Sequence, residues 1–259
     1  MQHKKNAHCI LKGGLMTKHT SRKKRRQIER DTNHIVNNKF TMKRITPITE
    51  NQENLFDSYQ DGMNIAAIGS AGTGKTYVSL YLALEEVMKK DQYEKIIIVR
   101  SAVQSRDQGF MPGSLKQKME YYETPYMEIV NNLFGRGDAY GIMKQKGMID
   151  FMSTSFIRGM TFDNAIIILD EVQNCNFSEI DTVMTRVGEN SKIVLCGDVR
   201  QDDLTNSRNR MDNSGLRDFL RVISKMDSFD VVEFGTKDIV RSGLVREYII
   251  TKEKELETV

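Results

Sequence analysis

The stretch IAAIGSAGTGKT, at residues 65–76, decides the fold of this 259-residue chain. Residues 69–76 match the pattern G-x-x-x-x-G-K-[ST], and they lie between an apolar stretch and a helix-like stretch. A strand that ends in a glycine-rich turn directs successive backbone N–H groups into one concavity, and the following helix adds its positive amino end. This context makes an ordinary glycine loop the weaker interpretation. The stretch therefore predicts a loop that binds the phosphates of a nucleoside triphosphate.

Two side chains of this loop carry predicted chemical roles. Lys75 is expected to reach the β- and γ-phosphates, and the Thr76 hydroxyl is expected to ligate Mg²⁺. The remaining positions are expected to contribute backbone N–H groups. The predicted nucleotide-binding residues of the loop are Gly69, Ser70, Ala71, Gly72, Thr73, Gly74, Lys75 and Thr76.

A second apolar stretch, residues 166–169, ends in Asp170 and Glu171. A strand that ends in two acids places both carboxylates at the carboxyl edge of a sheet, where ligands bind in open α/β folds. Asp170 suits Mg²⁺ coordination, directly or from the second shell, and Glu171 suits the base or orienter of an attacking water. The bland alternative is a strand that ends in a polar turn, and the upstream loop disfavours it. The acidic pair favours hydrolysis over a small-molecule kinase, which does not need to activate water.

A third signal is CGDVRQ at residues 196–201, directly after another apolar stretch. Gln201 stands again at the carboxyl edge of a predicted strand, where its amide can sense a γ-phosphate or position water. The alternative is a polar loop without a role. Cys196 belongs to the apolar stretch and is predicted to be a buried small hydrophobe.

Strand-like and helix-like stretches alternate after residue 44, which predicts an α/β domain with a mostly parallel sheet flanked by helices. The predicted strands are 64–68, 95–99, 149–153, 165–169, 191–195 and 230–234. The predicted helices are a short one after the turn at Pro47, then 75–90, 113–134, 177–187 and 216–225. Pro125 is expected to break the long helix or to start a turn, and residues 135–147 are expected to form an exposed loop.

The charge is distributed unevenly between two predicted regions, 1–44 and 45–259. Residues 1–44 carry 13 Lys and Arg against two acids, so the rest of the chain sums to about −8 of the net +3. The first region is expected to be a flexible, largely disordered tail that either contacts nucleic-acid phosphates or only solubilises the chain. The sequence has no long apolar run and no apolar leader, and its three cysteines are odd in number and form no CxxC motif. A cytoplasmic, membrane-free setting is therefore expected.

The order of these motifs resembles the PhoH-like family of P-loop ATPases, which is related to the ATPase core of superfamily 1 helicases. Further matching segments are GFMPG at 109–113, RGMT at 158–161, TRVG at 185–188 and DIVR at 238–241. The resemblance covers about residues 45–250 and implies a single RecA-like domain, ATP and Mg²⁺ as ligands, and single-stranded nucleic acid, RNA favoured, as a partner. It also implies that Gln52 reads adenine and that Lys75, Glu171 and Gln201 serve hydrolysis.

The resemblance further implies an arginine that stabilises the charge of phosphoryl transfer. Arg241 is the first candidate, followed by Arg158 and Arg186. Arg100 is a further candidate for a contact with nucleic acid or with the site of a neighbouring subunit. It is followed by Ser101 where the family often has proline, which is a departure from the family pattern. One RecA-like domain leaves such a site half-built, so a homo-oligomeric ring, a hexamer favoured, is expected. A nucleotide-dependent switch or assembly module with slow turnover is the alternative function.

Overall fold

The structure, a computed structural model, describes residues 40–89, 91–101, 115–198 and 215–257. The chain divides into two units, Met1–Thr41 and Met42–Val259, and all helices and strands described here lie in the second. The predicted basic tail, 1–44, falls almost entirely outside the described residues. Of its last residues, Lys43 donates its backbone N–H to the carbonyl of Leu133 at 2.8 Å.

A six-stranded sheet forms the centre of the second unit. Its strands are β1 (Asn64–Gly69), β2 (Lys95–Arg100), β3 (Ile149–Ser153), β4 (Ala165–Asp170), β5 (Lys192–Gly197) and β6 (Phe229–Phe234). They lie in the order β3-β2-β4-β5-β1-β6, and every pairing is parallel. The predicted α/β class with a parallel sheet is therefore confirmed.

The apolar runs form strands because helices cover both faces of the sheet. All six residues of β4 and of β5 are buried, which is the pattern of central strands in a doubly covered parallel sheet. Four strands extend one or two residues beyond the predicted carboxyl ends, so Gly69, Arg100, Asp170 and Gly197 belong to the sheet itself. The chemistry-bearing residues consequently start from a rigid edge.

Seven helices surround the sheet in the described part of the chain. They are α1 (Glu50–Gln60), α2 (Lys75–Lys89), α3 (Leu115–Phe134), α4 (Ala139–Gln145), α5 (Phe177–Met184), α6 (Leu216–Ile223) and α7 (Gly243–Glu257). Asn176 caps α5 through a reciprocal capping box with Glu179. The same Glu179 carboxylate accepts hydrogen bonds from Ser101 and Thr154, which fixes the ends of β2 and β3 to this helix.

None of the helices in the described ranges combines the length and the apolar character needed to cross a bilayer.

The expectation of an exposed loop over residues 135–147 is wrong, because Ala139–Gln145 forms α4. Ala139, Tyr140 and Met143 share one helical face and are buried. Burial of this face against α3 and β3 outweighs the glycines that suggested a loop.

The expectation that Pro125 breaks the long helix is also wrong, because α3 runs continuously through it. Proline inside a helix costs about 3 kcal/mol, since it removes one backbone hydrogen bond and crowds the preceding turn. Tyr126, Val130 and Leu133 follow it on one face and are at most 1% exposed. Each such burial stabilises the fold by about 1.5–3 kcal/mol, so packing keeps the helix intact.

Two glycines at α4 provide a matched test of this correction. A Cβ at Gly141 or at Gly147 would meet nothing within 4 Å, but only Gly147 has a left-handed backbone, with φ +69°. Gly141→Ala should therefore raise the free energy of unfolding by about 0.5–1 kcal/mol through helix propensity. Gly147→Ala should lower it by about 1 kcal/mol through backbone strain. Urea unfolding followed by circular dichroism measures both, and equal effects would contradict the helix boundary.

Candidate active site

The glycine-rich loop connects β1 to α2 and is shaped by β6. Gly69 has φ +134°, and a Cβ there would lie 1.9 Å from the carbonyl oxygen of Phe234 in β6. The Ser70 N–H donates to the same oxygen at 3.0 Å. Only glycine permits this approach, so the loop leaves the sheet at a fixed angle.

Lys75 begins α2 and folds back over the loop. Its ammonium donates to the carbonyl oxygens of Gly69 at 2.7 Å and Ser70 at 2.8 Å. The side chain is only 9% exposed. Burial lowers the pKa of Lys75, and acidic groups at the ends of β4 and β5 oppose that shift. The ammonium therefore lies in the concavity of the loop, where the phosphates of a nucleotide are expected.

Asp170 is held by two hydroxyl groups from different elements. The Thr76 hydroxyl donates to Oδ1 and the Tyr126 hydroxyl to Oδ2, both at 2.8 Å. Burial raises the pKa of Asp170 and the charge of Glu171 adds to it, whereas the two hydrogen bonds and the charge of Arg100 act in the opposite direction. Thr76 and Asp170, the two predicted metal ligands, thus lie in direct contact and offer the oxygen ligands that Mg²⁺ prefers.

Glu171 follows β4 in a strained backbone conformation and is held by Gln173. Its φ of 53° is left-handed, which is uncommon for a residue other than glycine. The Gln173 amide donates to Glu171 Oε2 at 2.5 Å, and its oxygen accepts from the Asp198 N–H at 3.0 Å. A Cβ on Gly197 would come within 2.8 Å of that amide oxygen. Gln173 therefore connects the candidate base to the end of β5.

One cavity of about 680 Å³ joins these groups. Its lining carries four carboxylates, Glu128, Asp170, Glu171 and Asp198, together with the cationic side chains of Lys75 and Arg241. Helix α3 forms the facing wall with Pro125, Glu128, Ile129 and Asn132. The glycine-rich loop, the ends of β4 and β5, and helix α3 thus enclose a single site.

Arg241 and Gln52 lie beside the same loop. The Val240 N–H donates to the carbonyl of Gly72 at 3.0 Å, and a Cβ on Gly72 would lie 2.7 Å from Arg241 Cγ. Gln52 is 4% exposed, donates to the Thr73 carbonyl at 3.0 Å and accepts from the Ile48 N–H at 3.1 Å. Each end of its amide keeps one further hydrogen-bonding position.

A second cavity of about 400 Å³ adjoins the loop and shares Gly72, Gly74, Tyr77 and Arg241 with the first. Its other lining residues are Gln52, Thr46 and the apolar side chains of Ile45, Ile48, Val78 and Val240. Apolar walls with a buried amide are the features expected of a pocket for a base.

The other predicted site residues are placed differently. Gln201 lies outside the described residues. Arg100 ends β2 in register with Asp170, and its guanidinium lies 5.3 Å from the ring centre of Tyr122. Arg158 is exposed, and Arg186 lies with residues that precede β4 and β5, near the amino ends of these strands. Neither lines the two cavities at the loop.

Sequence reasoning missed Tyr126, Gln173 and the wall formed by α3. Gln173 stands two residues after Glu171, and its polar type inside a buried turn was an available signal. Tyr126 is 44 residues from its partner Asp170, and no local pattern predicts that contact.

The residues present fit a nucleotide and a divalent cation. Glycines form the loop where a Cβ would collide, Lys75 lies buried in its concavity, and Thr76 pairs with Asp170. A parallel sheet that carries this loop after β1 and an acidic pair at the end of β4, two strands away, defines a P-loop NTPase with a RecA-like fold.

Comparison with known proteins agrees with this class and narrows it. The family model "PhoH-like protein" matches residues 44–252. A PhoH-like protein of Mycobacterium leprae is 33% identical over 208 residues, which cover 80% of this chain and 58% of that protein. Protein PhoH of Escherichia coli K12 is 36% identical over 182 residues, covering 70% and 50%. The chain belongs to the PhoH-like family, and its matches span 50–58% of the length of these two curated relatives.

Solved structures give distant likenesses. The large terminase of a thermophilic bacteriophage, in complex with ADP, matches with a TM-score of 0.47 and 12% identity, over 78% of this chain and 49% of that one. Unliganded Pif1 from a Bacteroides species matches with a TM-score of 0.36 and 15% identity, over 76% and 43%.

Gln173→Leu should lower kcat for nucleotide hydrolysis by about tenfold or more, because Glu171 loses the donor that orients its carboxylate. The KM for nucleotide should change by no more than about twofold, since the loop is untouched. Steady-state hydrolysis measures both constants. Gln145→Leu, at the end of α4 and outside the cavity lining, is the control and should leave both unchanged. An equal loss of kcat in the control, or a rise in KM alone for Gln173→Leu, would contradict the assignment.

Proposed function

We propose that this protein hydrolyses ATP with Mg²⁺ and couples hydrolysis to single-stranded nucleic acid, RNA favoured. One observation carries the hydrolytic part. The Thr76–Asp170 contact of 2.8 Å and the Glu171 carboxylate, oriented by Gln173, line the same cavity as Lys75. A site that only bound nucleotide would not require a second carboxylate held in place at this edge.

Each part of the nucleotide has residues suited to it. The triphosphate would lie along residues 69–76, with Lys75 and the loop N–H groups as donors to its oxygens. The base would lie in the smaller cavity, where Gln52 keeps one free donor and one free acceptor position that match an adenine edge. Thr76 and Asp170 would hold Mg²⁺, which when bound neutralises charge on the phosphate oxygens.

Glu171 is the group assigned to the attacking water. Its carboxylate would accept a proton from water as the water attacks the γ-phosphorus. The bond from that phosphorus to the β–γ bridging oxygen would break, ADP would leave with this oxygen, and Gln173 would keep the carboxylate in position. Gln201 would position the water or sense the γ-phosphate from the segment after β5. Arg241 would stabilise the developing negative charge.

The nucleic-acid partner is supported by charge, exposed aromatic groups and the family resemblance. Residues 1–44 carry an excess of about 11 positive charges. Tyr121 is 70% exposed and Phe156 47% exposed, so both rings are accessible for base stacking. Tyr122, by contrast, packs against the Arg100 guanidinium. A cytoplasmic location is part of this proposal.

A homo-oligomeric ring, a hexamer favoured, completes the proposal with one revision. Arg241 lies against Gly72 of its own chain, which supports a role in its own site. Arg158 is exposed and does not line the loop cavity, which suits a residue that reaches the site of a neighbouring subunit. Arg186 is the weaker candidate, since its Nη1 donates to the Met160 carbonyl of its own chain at 3.2 Å.

Addition of single-stranded RNA should raise the rate of ATP hydrolysis, and the effect should fade as salt increases. Glu171→Gln should lower the rate of ATP hydrolysis by about 10²-fold or more, while the affinity for ADP should not change. Coupled-enzyme ATPase assays and fluorescence titration of an ADP analogue measure the two quantities. Slow hydrolysis whose rate does not change when RNA is added would contradict coupling to nucleic acid and would favour the nucleotide-dependent switch.

Mixing two inactive variants tests whether Arg241 acts within its own chain. Arg241→Ala should lower kcat by about 10³-fold or more, the usual contribution of such an arginine. Mixed oligomers of Arg241→Ala and Glu171→Gln should remain inactive, because each subunit lacks one group of its own site. The same mixing with Arg158→Ala should restore activity, since one subunit supplies the missing arginine to the other. Recovered activity with Arg241→Ala would show that it acts across the interface.

A further inference from the structure

Tyr126 is a buried tyrosine of α3 whose hydroxyl contacts the carboxylate of Asp170 at the end of β4. It lies on α3, is 1% exposed, and its hydroxyl donates to Asp170 Oδ2 at 2.8 Å. Its ring packs at 5.6 Å, centre to centre, against Phe151 of β3. Tyr126 therefore spans from the edge strand of the sheet to the carboxylate expected to hold the cation.

Packing alone does not explain the hydroxyl. A phenylalanine would fill the same space beside Phe151, whereas a buried hydroxyl costs free energy unless it finds a partner. The partner here is one oxygen of a buried carboxylate that lines the nucleotide cavity.

The two hydroxyl groups on Asp170 divide its oxygens between them. Thr76 occupies one lone-pair position of Oδ1, and Tyr126 occupies one of Oδ2. Each oxygen keeps one further position, and the carboxylate plane is fixed from both sides. Without Tyr126, the hydrogen bond from Thr76 would hold the carboxylate on one side only, and its orientation would be less well fixed.

We propose that Tyr126 is a positioning residue for Mg²⁺, acting through Asp170, and that α3 is thereby part of the metal site. This inference rests on the proposed function, because it assumes that Thr76 and Asp170 hold the cation. Partners that orient a metal ligand from outside typically contribute about 10–100-fold in metal affinity. Since the loop and Lys75 are untouched, binding of nucleotide without metal should not depend on Tyr126.

The test is the Mg²⁺ dependence of nucleotide binding, measured without turnover. A fluorescent ADP analogue is titrated with excess EDTA and then at increasing Mg²⁺ concentrations. For Tyr126→Phe, the Mg²⁺ concentration that gives half of the full change in affinity for the ADP analogue should rise about tenfold or more. The affinity for the analogue in EDTA should stay within about twofold of the wild type. An unchanged Mg²⁺ dependence, or an equal loss of affinity in EDTA, would overturn the inference.

Tyr140→Phe provides the matched control. Tyr140 is also a buried tyrosine, 4% exposed, and its hydroxyl donates to a carboxylate, Glu123, at 2.7 Å. It does not line the cavity at the loop. Its loss should leave the Mg²⁺ dependence unchanged, and a shift equal to that of Tyr126→Phe would reduce Tyr126 to a general packing role.

A second measurement keeps the native hydroxyl and does not depend on how the variant folds. With 3-fluorotyrosine at position 126, the ¹⁹F resonance should shift when Mg²⁺ is added to the ADP-bound protein, and change little when ADP is added in EDTA. A ¹⁹F chemical shift that does not change when Mg²⁺ is added would overturn the inference. If the wild type itself bound ADP without any Mg²⁺ effect, the proposed metal site would fail instead.

Discussion

The hydrogen bond between Thr76 and Asp170 is the contact on which the arrangement of the site depends. It joins the start of α2 to the end of β4, although β5 separates β1 from β4 in the sheet. Such a contact requires both strands to end at nearly the same level, and the parallel register of β1, β5 and β4 places their ends within two residues of one another. A register shift of one residue in any of these strands would turn every side chain of that strand to the opposite face of the sheet.

The fold was predictable from the sequence because its strands are continuous apolar runs separated by amphipathic helices. That pattern belongs to a doubly covered parallel sheet, and the six predicted strands are all present within about two residues of their ends. The errors arose where tertiary packing overrides local preference. Pro125 is carried within α3 by the buried face that follows it, and Ala139, Tyr140 and Met143 impose a helix on a glycine-containing stretch. Helix α7 had no prediction, since its first two turns expose apolar and polar side chains alike.

The candidate site was predictable as far as residues next to one another in sequence define it. The loop, Asp170 and Glu171 follow from motifs at the carboxyl ends of strands. Tyr126 does not, because its partner is remote in sequence and a helical pattern gives no sign of which side chain reaches across. The strain at Glu171, with φ 53°, is equally invisible in a linear pattern, yet it aims the carboxylate toward the amide of Gln173.

The position of β1 has a consequence for how the protein is made. The strand that leads into the loop pairs with β5 on one side and β6 on the other, and these are the last two strands of the described chain. The carbonyl of Gly72 then takes its partner from Val240, later still. During synthesis, β5, β6 and Val240 are made long after the loop. The loop can therefore take its final structure only when nearly the whole domain has left the ribosome. Nucleotide bound at this loop would therefore stabilise the domain only once nearly all of it has been made.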